Sequence, residues 1–241
     1  MEKSKRAPEV LETALNILYP RRCPVCHRIL RDQKALICPE CENVFQPIKE
    51  GYCLKCGSPV KPEEEYCRDC AGQRRSFDEG RGIFLYDQKM RRSLIRYKYY
   101  GSREYADYYA VSMYRYGRGN ILRWKPDVII PVPLHRRKLR MRGFNQSGLL
   151  AEKLGTFLDI PVSEGTLRKI RGTRSQKKLD AAQRRKNLRQ AFRAERRLDG
   201  LTVLLVDDVY TTGSTVEAAA ACLKEAGAKK VCFLTLCMGR M

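Results

Sequence analysis

The stretch LTVLLVDDVYTTGST, Leu201–Thr215, begins as a run of mostly branched apolar residues and ends in two acids and a turn rich in hydroxyls. An apolar run without alternation reads as a strand buried on both faces, as in a parallel sheet. The residues that follow, STVEAAAACLKEAG, read as a helix closed by Gly227. Strand, turn and helix in that order put Asp207 and Asp208 at the carboxyl end of a strand, where α/β sheets bind their ligands. The turn leads into a helix N-terminus, whose free N–H groups and positive dipole end suit a phosphate. Gly213 lets backbone amides approach closely, and the neighbouring hydroxyls add donors. Two adjacent carboxylates have the opposite requirement. They accept hydrogen bonds from sugar hydroxyls, or hold magnesium through water. Phosphate on one side and vicinal hydroxyls on the other describe a ribose 5-phosphate. Asp207 and Asp208 are the candidate catalytic residues. Val209, Tyr210, Thr211, Thr212, Gly213, Ser214 and Thr215 are the candidate phosphate-binding set.

The same alternation extends through the C-terminal two thirds of the chain. GIFLY (Gly82–Tyr86), DVIIPVP (Asp127–Pro133) and KKVCFLTLCM (Lys229–Met238) read as strands. KMRRSLIRYKYYG, REYADYYAVSMYRYG and FNQSGLLAEKLGTFL read as helices. The expected class is α/β, with a mainly parallel sheet flanked by helices. A polar stretch, AGQRRSFDEGRG, separates this part from a cysteine-rich one, which divides the chain into residues 1–76 and 77–241. The first twenty residues read as a short amphipathic helix rather than a signal peptide, and no stretch approaches the length of a membrane span. A cytoplasmic protein is expected.

Eight of the eleven cysteines form four C-x-x-C pairs: Cys23/Cys26, Cys38/Cys41, Cys53/Cys56 and Cys67/Cys70. Each two-residue gap lets a tight turn present two sulfurs together, and eight thiolates imply two structural zinc ions. Two pairings are open. Sequential pairing gives two stacked zinc ribbons, and cross-braced pairing gives a RING-like module. The repeat of two knuckles around a short hairpin in each half favours the ribbons. Cys222, Cys232 and Cys237 sit in apolar segments and read as buried small hydrophobes.

The stretch Leu204–Thr215 resembles the motif with which type I phosphoribosyltransferases bind phosphoribosyl pyrophosphate (PRPP): four apolar residues, two acids, two variable residues, then T-T-G-x-T. Two further stretches, PVPLHRRKLRMRGFNQSGLLA (Pro131–Ala151) and TRSQKKLDAAQRRKNLRQAF (Thr173–Phe192), resemble signatures of the ComF family of competence-associated, phosphoribosyltransferase-like proteins. With the cysteine-rich module, the resemblance covers nearly the whole chain. It implies PRPP with magnesium as ligand, and a role in the uptake of single-stranded DNA alongside a DNA-translocating ATPase. It also places pyrophosphate at the loop after the DVIIPVP strand, with Arg136, Arg137, Lys138 and Arg142 as candidates. A mobile loop closing over PRPP is implied for the second stretch, with Gln176 and Arg184 as candidates. A true phosphoribosyltransferase, passing phosphoribose to a base or amine, is the alternative. The last strand is expected to finish near Met241, so the lid over the site is expected from residues before 127.

Charge agrees with a polyanionic partner. The chain carries 48 Lys+Arg against 27 Asp+Glu, a net +21. Two zinc ions on eight thiolates would leave about +17. Residues 168–197 hold 13 basic residues and two acids, enough to bind nucleic acid by counterion release. Basic residues interleave with tyrosines in Tyr97–Tyr116, a pattern able to stack unpaired bases. Tyr97, Tyr99 and Tyr100, beside Gly101, are the candidates for exposed stacking, whereas Tyr105, Tyr108 and Tyr109 are expected to pack helix faces.

Overall fold

A computed structural model describes residues 19–170 and 191–239. The N-terminal amphipathic helix and the candidates Gln176 and Arg184 therefore lie outside the described residues. Four parallel strands form the central sheet: β1 (Glu79–Leu85), β2 (Val128–Pro131), β5 (Thr202–Tyr210) and β6 (Lys230–Met238), in the order β1-β6-β5-β2. A small antiparallel pair, β3 (Leu167–Lys169) and β4 (Phe192–Ala194), stands beside it.

The central strands are apolar on both faces because both faces are covered. Along β5, Val203 and Leu205 join one core, whereas Leu204 and Val206 join the other. The second core is built with α2 (Gln88–Tyr99), α3 (Tyr105–Trp124) and α5 (Gln146–Leu158). The first is built with α6 (Ser214–Glu225) and the β3–β4 pair. Cys222, Cys232 and Cys237 are buried in these cores, as their apolar surroundings suggest.

The β3–β4 pair was not visible in the sequence, and two further elements differ from their sequence reading. Arg136–Arg142, read as a loop, forms the short helix α4, with His135 at its N-cap and Gly143 at φ 74° ending it. β1 starts at Glu79, three residues before the expected strand, because polar residues also pair there. One of them, Arg81, is buried; its guanidinium lies 3.7 Å from the centre of the Tyr52 ring and donates to the Ile48 carbonyl.

The cysteine-rich part, which also holds the single-turn α1 (Arg68–Ala71), is a structural repeat. In the first knuckle the Cys23 amide bonds to Arg28 O and the His27 amide to Cys23 O, both at 2.9 Å. In the second, the Cys53 amide bonds to Ser58 O at 2.7 Å and the Gly57 amide to Cys53 O at 2.8 Å. Both knuckles need a left-handed residue after the second cysteine, supplied by His27 (φ 66°) and Gly57 (φ 77°). Glycine takes that conformation freely and histidine does not. His27 also bonds through Nδ1 to the Tyr105 hydroxyl, 2.5 Å away, which commits its ring to α3.

The joint between the halves is used by the sheet. Pro47 pairs antiparallel with Phe84; the Ile48 amide donates to Ile83 O (2.8 Å) and the Leu85 amide to Gln46 O (3.1 Å). This covers the outer edge of β1, whose unpaired groups would otherwise be exposed. The two halves then part. Phe45, Val25 and Val44 pack with the α2/α3 core, whereas Cys53, Cys56 and Cys67 belong to the α6 core.

Candidate functional site

The strands β2 and β5 are parallel neighbours, so the segments after them emerge at the same end of the sheet. After β5 come the turn Thr211–Gly213 and the N-terminus of α6. After β2 come Val132–His135 and the basic helix α4. The acidic pair, the hydroxyl turn and Arg136, Arg137 and Lys138 are thus gathered at one edge, and those three basic residues are exposed. The Ile170 amide donates to Ala191 O at 2.9 Å, so the two described residues on either side of 171–190 are neighbours; Gln176 and Arg184 lie outside the described residues.

Gly213 sits at φ 70° as the N-cap of α6, and a Cβ there would lie 2.3 Å from the Tyr210 hydroxyl. Both the conformation and the space therefore require glycine. The Thr212 and Ser214 hydroxyls lie 2.8 Å apart, and Thr211 and Thr212 are exposed. The first amides of α6 have no intrahelical acceptor, so the turn presents N–H and O–H donors together. Tyr210 points inward and is buried, and Val209 is half-buried.

The acids are less open than their position suggests. Asp207 and Asp208 are each only 9% exposed. Asp207 Oδ1 accepts from the Ser147 hydroxyl and from the Asp208 amide, both at 2.9 Å. Asp208 Oδ2 lies 2.5 Å from Lys98 Nζ at the end of α2. Sequence reading missed both Lys98 and Ser147. They come from helices 60 or more residues away, and no spacing rule links them to the acids. Burial alone would lower the Lys98 ammonium, but the Asp208 carboxylate outweighs it and lifts the group above its ordinary value. Burial and then the Asp208 charge push Asp207 up from 3.8 to about 7.

That shift makes a stability prediction. The folded chain holds a proton on Asp207 up to about pH 7, whereas the unfolded chain loses it near pH 4. Across that window the unfolded state binds fewer protons, so this group's contribution falls as pH rises and is most unfavourable above pH 7. Asp207→Asn is expected to leave stability unchanged at pH 4 and to raise it by about 2–4 kcal/mol at pH 8. Thermal melts of both proteins across this range check it; parallel curves would contradict it.

Arg142, proposed for pyrophosphate, is already engaged. Its guanidinium donates to Gln146 Oε1 and to the Tyr99 hydroxyl, each at 2.7 Å, and lies over the Tyr99 ring at 4.7 Å. Tyr97 corrects the stacking expectation. It is fully buried, donates to Gln146 O at 3.0 Å and packs edge-on against Tyr109 and Phe144. Helical periodicity turns it inward while Tyr99 and Tyr100 remain 53% and 74% exposed. Tyr105 and Tyr109 are buried and Tyr108 packs against the same core, as expected.

The cysteines gather in the sequential pairing. Cys23, Cys26, Cys38 and Cys41 form one cluster and Cys53, Cys56, Cys67 and Cys70 the other, with all sulfurs of each within 4.8 Å. Sulfurs 2.3 Å from one tetrahedral ion lie about 3.8 Å apart. Cys23–Cys38, Cys26–Cys38 and Cys56–Cys67 stand at 3.5, 3.7 and 3.7 Å, so both clusters fit structural zinc. Four cysteines saturate such an ion, leaving it a cross-linking rather than a reactive role.

Residues 113–240 match a family model described as a phosphoribosyl transferase domain, and residues 14–71 match one described as a double zinc ribbon domain. Competence protein F of Haemophilus influenzae is 31% identical over 182 residues, 73% of this chain and 79% of that protein. Competence protein ComFC of Bacillus subtilis is 30% identical over 169 residues, 67% of each chain. The DNA utilization protein YhgH of Salmonella typhi is 44% identical over 112 residues, 46% of this chain, and the match spans about half (49%) of that relative's length. A parallel sheet ending in an acidic pair and a hydroxyl turn, joined to two four-cysteine clusters and matched over most of its length by two competence proteins, places this chain in the ComF family.

Proposed function

We propose that this chain binds PRPP with magnesium at the edge formed by β5, α6 and α4, and that it handles single-stranded DNA during DNA uptake. The observation that carries the PRPP reading is the placement of Asp207–Asp208 and Thr211–Thr215 at the carboxyl end of β5, beside a helix of basic residues after β2. In this reading the turn and the α6 amides take the 5-phosphate, the acids take the ribose hydroxyls directly or through hydrated magnesium, and Arg136, Arg137 and Lys138 take the pyrophosphate. Exposed cations on a short helix supply the charge a leaving pyrophosphate needs. Calorimetry with PRPP and magnesium tests it.

A specific feature favours the alternative of a true transferase. A cavity of about 620 Å³ lies next to this edge, lined by Leu134, Phe144, Arg168 and Lys169 among others. Burial holds the Lys169 ammonium below its ordinary value, and the Asp207 charge offsets part of that. A space of that size beside the sugar site has room for an acceptor base. Pyrophosphate released from PRPP only when one base of a panel is present would establish transfer.

The DNA reading rests on the competence relatives and on the surface beside the site. Tyr99 and Tyr100 end α2 next to the arginines of α4, an aromatic edge in a basic field. Tyr100 makes the clearer platform, since Tyr99 is held by Arg142. Tyr100→Ala is expected to weaken single-stranded DNA by about 5- to 100-fold, the worth of one base stack, and duplex far less. Both affinities should fall steeply with salt. Fluorescence anisotropy measures this; equal losses for single strand and duplex would contradict stacking.

A further inference from the structure

The second cysteine cluster shares a core with Tyr210, the residue that leads into the hydroxyl turn. Tyr210, the last residue of β5, stacks on Phe233 with ring centres 5.0 Å apart and planes 5° apart. Its hydroxyl is buried, touches the space a Gly213 side chain would fill, and has no hydrogen-bond partner among the described residues. Tyr210 shares one core with Cys53, Cys56, Cys67 and Phe77.

A second route joins the same two places. The Arg75 side chain is 8% exposed, and its Nε is buried without a partner among the described residues. Its guanidinium pairs with the Asp69 carboxylate at 3.7 Å, and Cys70 and Glu217 lie close enough to favour its charge. A four-thiolate zinc centre carries two net negative charges, a fitting neighbour for a buried guanidinium. The next residue, Ser76, donates its amide (3.0 and 3.1 Å) and its hydroxyl (2.7 Å) to the Glu217 carboxylate. Glu217 lies in the first turn of α6, and its amide donates to Gly213 O at 2.8 Å. One path therefore runs from Cys70 through Arg75, Ser76 and Glu217 to Gly213, and another runs through Tyr210.

We propose that the second four-cysteine cluster, through Tyr210, Arg75, Ser76 and Glu217, is what holds the Thr211–Thr215 turn in its anion-binding shape, so that the turn forms only when this cluster is loaded with metal. An anion site made of amides works only while they converge, and Gly213 holds them in a left-handed conformation braced by a buried ring. Loss of the metal frees the cysteines from the shared core and removes the thiolate charge beside Arg75, leaving that guanidinium only Asp69 and Glu217. Tyr210, Arg75, Ser76 and Glu217 act here as positioning residues. The first cluster is the internal control, because it packs with the α2/α3 side of the sheet. The consequence for phosphate rests on the PRPP reading above, but the ordering of the turn does not.

Amide hydrogen exchange of the full chain, with zinc counted in each sample, separates the two. Cys70→Ser, with one zinc fewer, is expected to speed exchange of residues 211–217 by about tenfold or more while Val203–Val206 stay protected. Cys26→Ser, also one zinc short, is expected to leave residues 211–217 unchanged. Arg75→Met keeps both zinc ions and is expected to speed the same amides to a smaller extent. Should Cys70→Ser expose β5 as well, Arg75→Met decides: faster exchange in the turn upholds the proposal and unchanged exchange overturns it. Unchanged exchange in Cys70→Ser overturns it directly. Absence of PRPP binding to the unaltered chain would defeat the phosphate reading and leave the exchange result standing.

Discussion

The double variant Asp207→Asn/Asp208→Asn is expected to lose PRPP affinity by at least about 100-fold. Above about pH 7, where Asp207 is ionised, the amide keeps the size of each side chain but removes the charge that strengthens its hydrogen bonds to ribose hydroxyls. Two bonds to charged groups, at about 1.5–3 kcal/mol each, account for a loss of that order. The structure adds a complication, because Asp208 also neutralises Lys98, whose side chain is only 18% exposed. Asp208→Asn leaves that ammonium enclosed without a carboxylate, a costly arrangement. Adding Lys98→Met should recover the stability and not the binding. A triple variant that melts at least as high as the unaltered chain but no longer binds PRPP would separate the two roles. DNA binding should not weaken in the double variant, because two negative charges leave a basic surface.

The second large effect concerns zinc. Two zinc ions per chain are expected, and their removal should unfold more than the cysteine-rich half. The sequence boundary between residues 76 and 77 sets that half apart. Its two clusters pack differently. Cys23 and Cys41 form a small core of their own with Leu30, whereas Cys53, Cys56 and Cys67 sit in the same core as β5, β6 and α6. Cys53→Ser should therefore cost more global stability than Cys23→Ser, by about 2–4 kcal/mol, with one zinc lost in each case. Thermal unfolding with elemental analysis checks this. Equal losses would show that the second cluster contributes nothing special to the sheet.

The legible parts of this protein were those written in local pattern. Continuous apolar runs marked β5 and β6, four C-x-x-C pairs marked the clusters, and the acid–hydroxyl turn marked the edge where β5 meets α6. What escaped was set by tertiary contacts. Lys98 and Ser147 reach the acids from α2 and α5 across long sequence separations. Tyr97 looks like its neighbours Tyr99 and Tyr100 in sequence, and only the phase of α2 buries it. Arg142 sits among free-looking arginines, yet Gln146 and Tyr99 claim it. Pairing of Pro47 with Phe84 gives the polar joint between ribbons a place in the sheet that its composition did not announce.

A calorimetric titration of PRPP with magnesium into the unaltered chain and into the Lys98→Met/Asp207→Asn/Asp208→Asn variant tests the central claim most directly. The account predicts one PRPP per chain for the first, displaced by excess pyrophosphate, and no measurable binding for the second while its melt stays cooperative. Equal binding by the two proteins, or no binding by the unaltered chain, would contradict it.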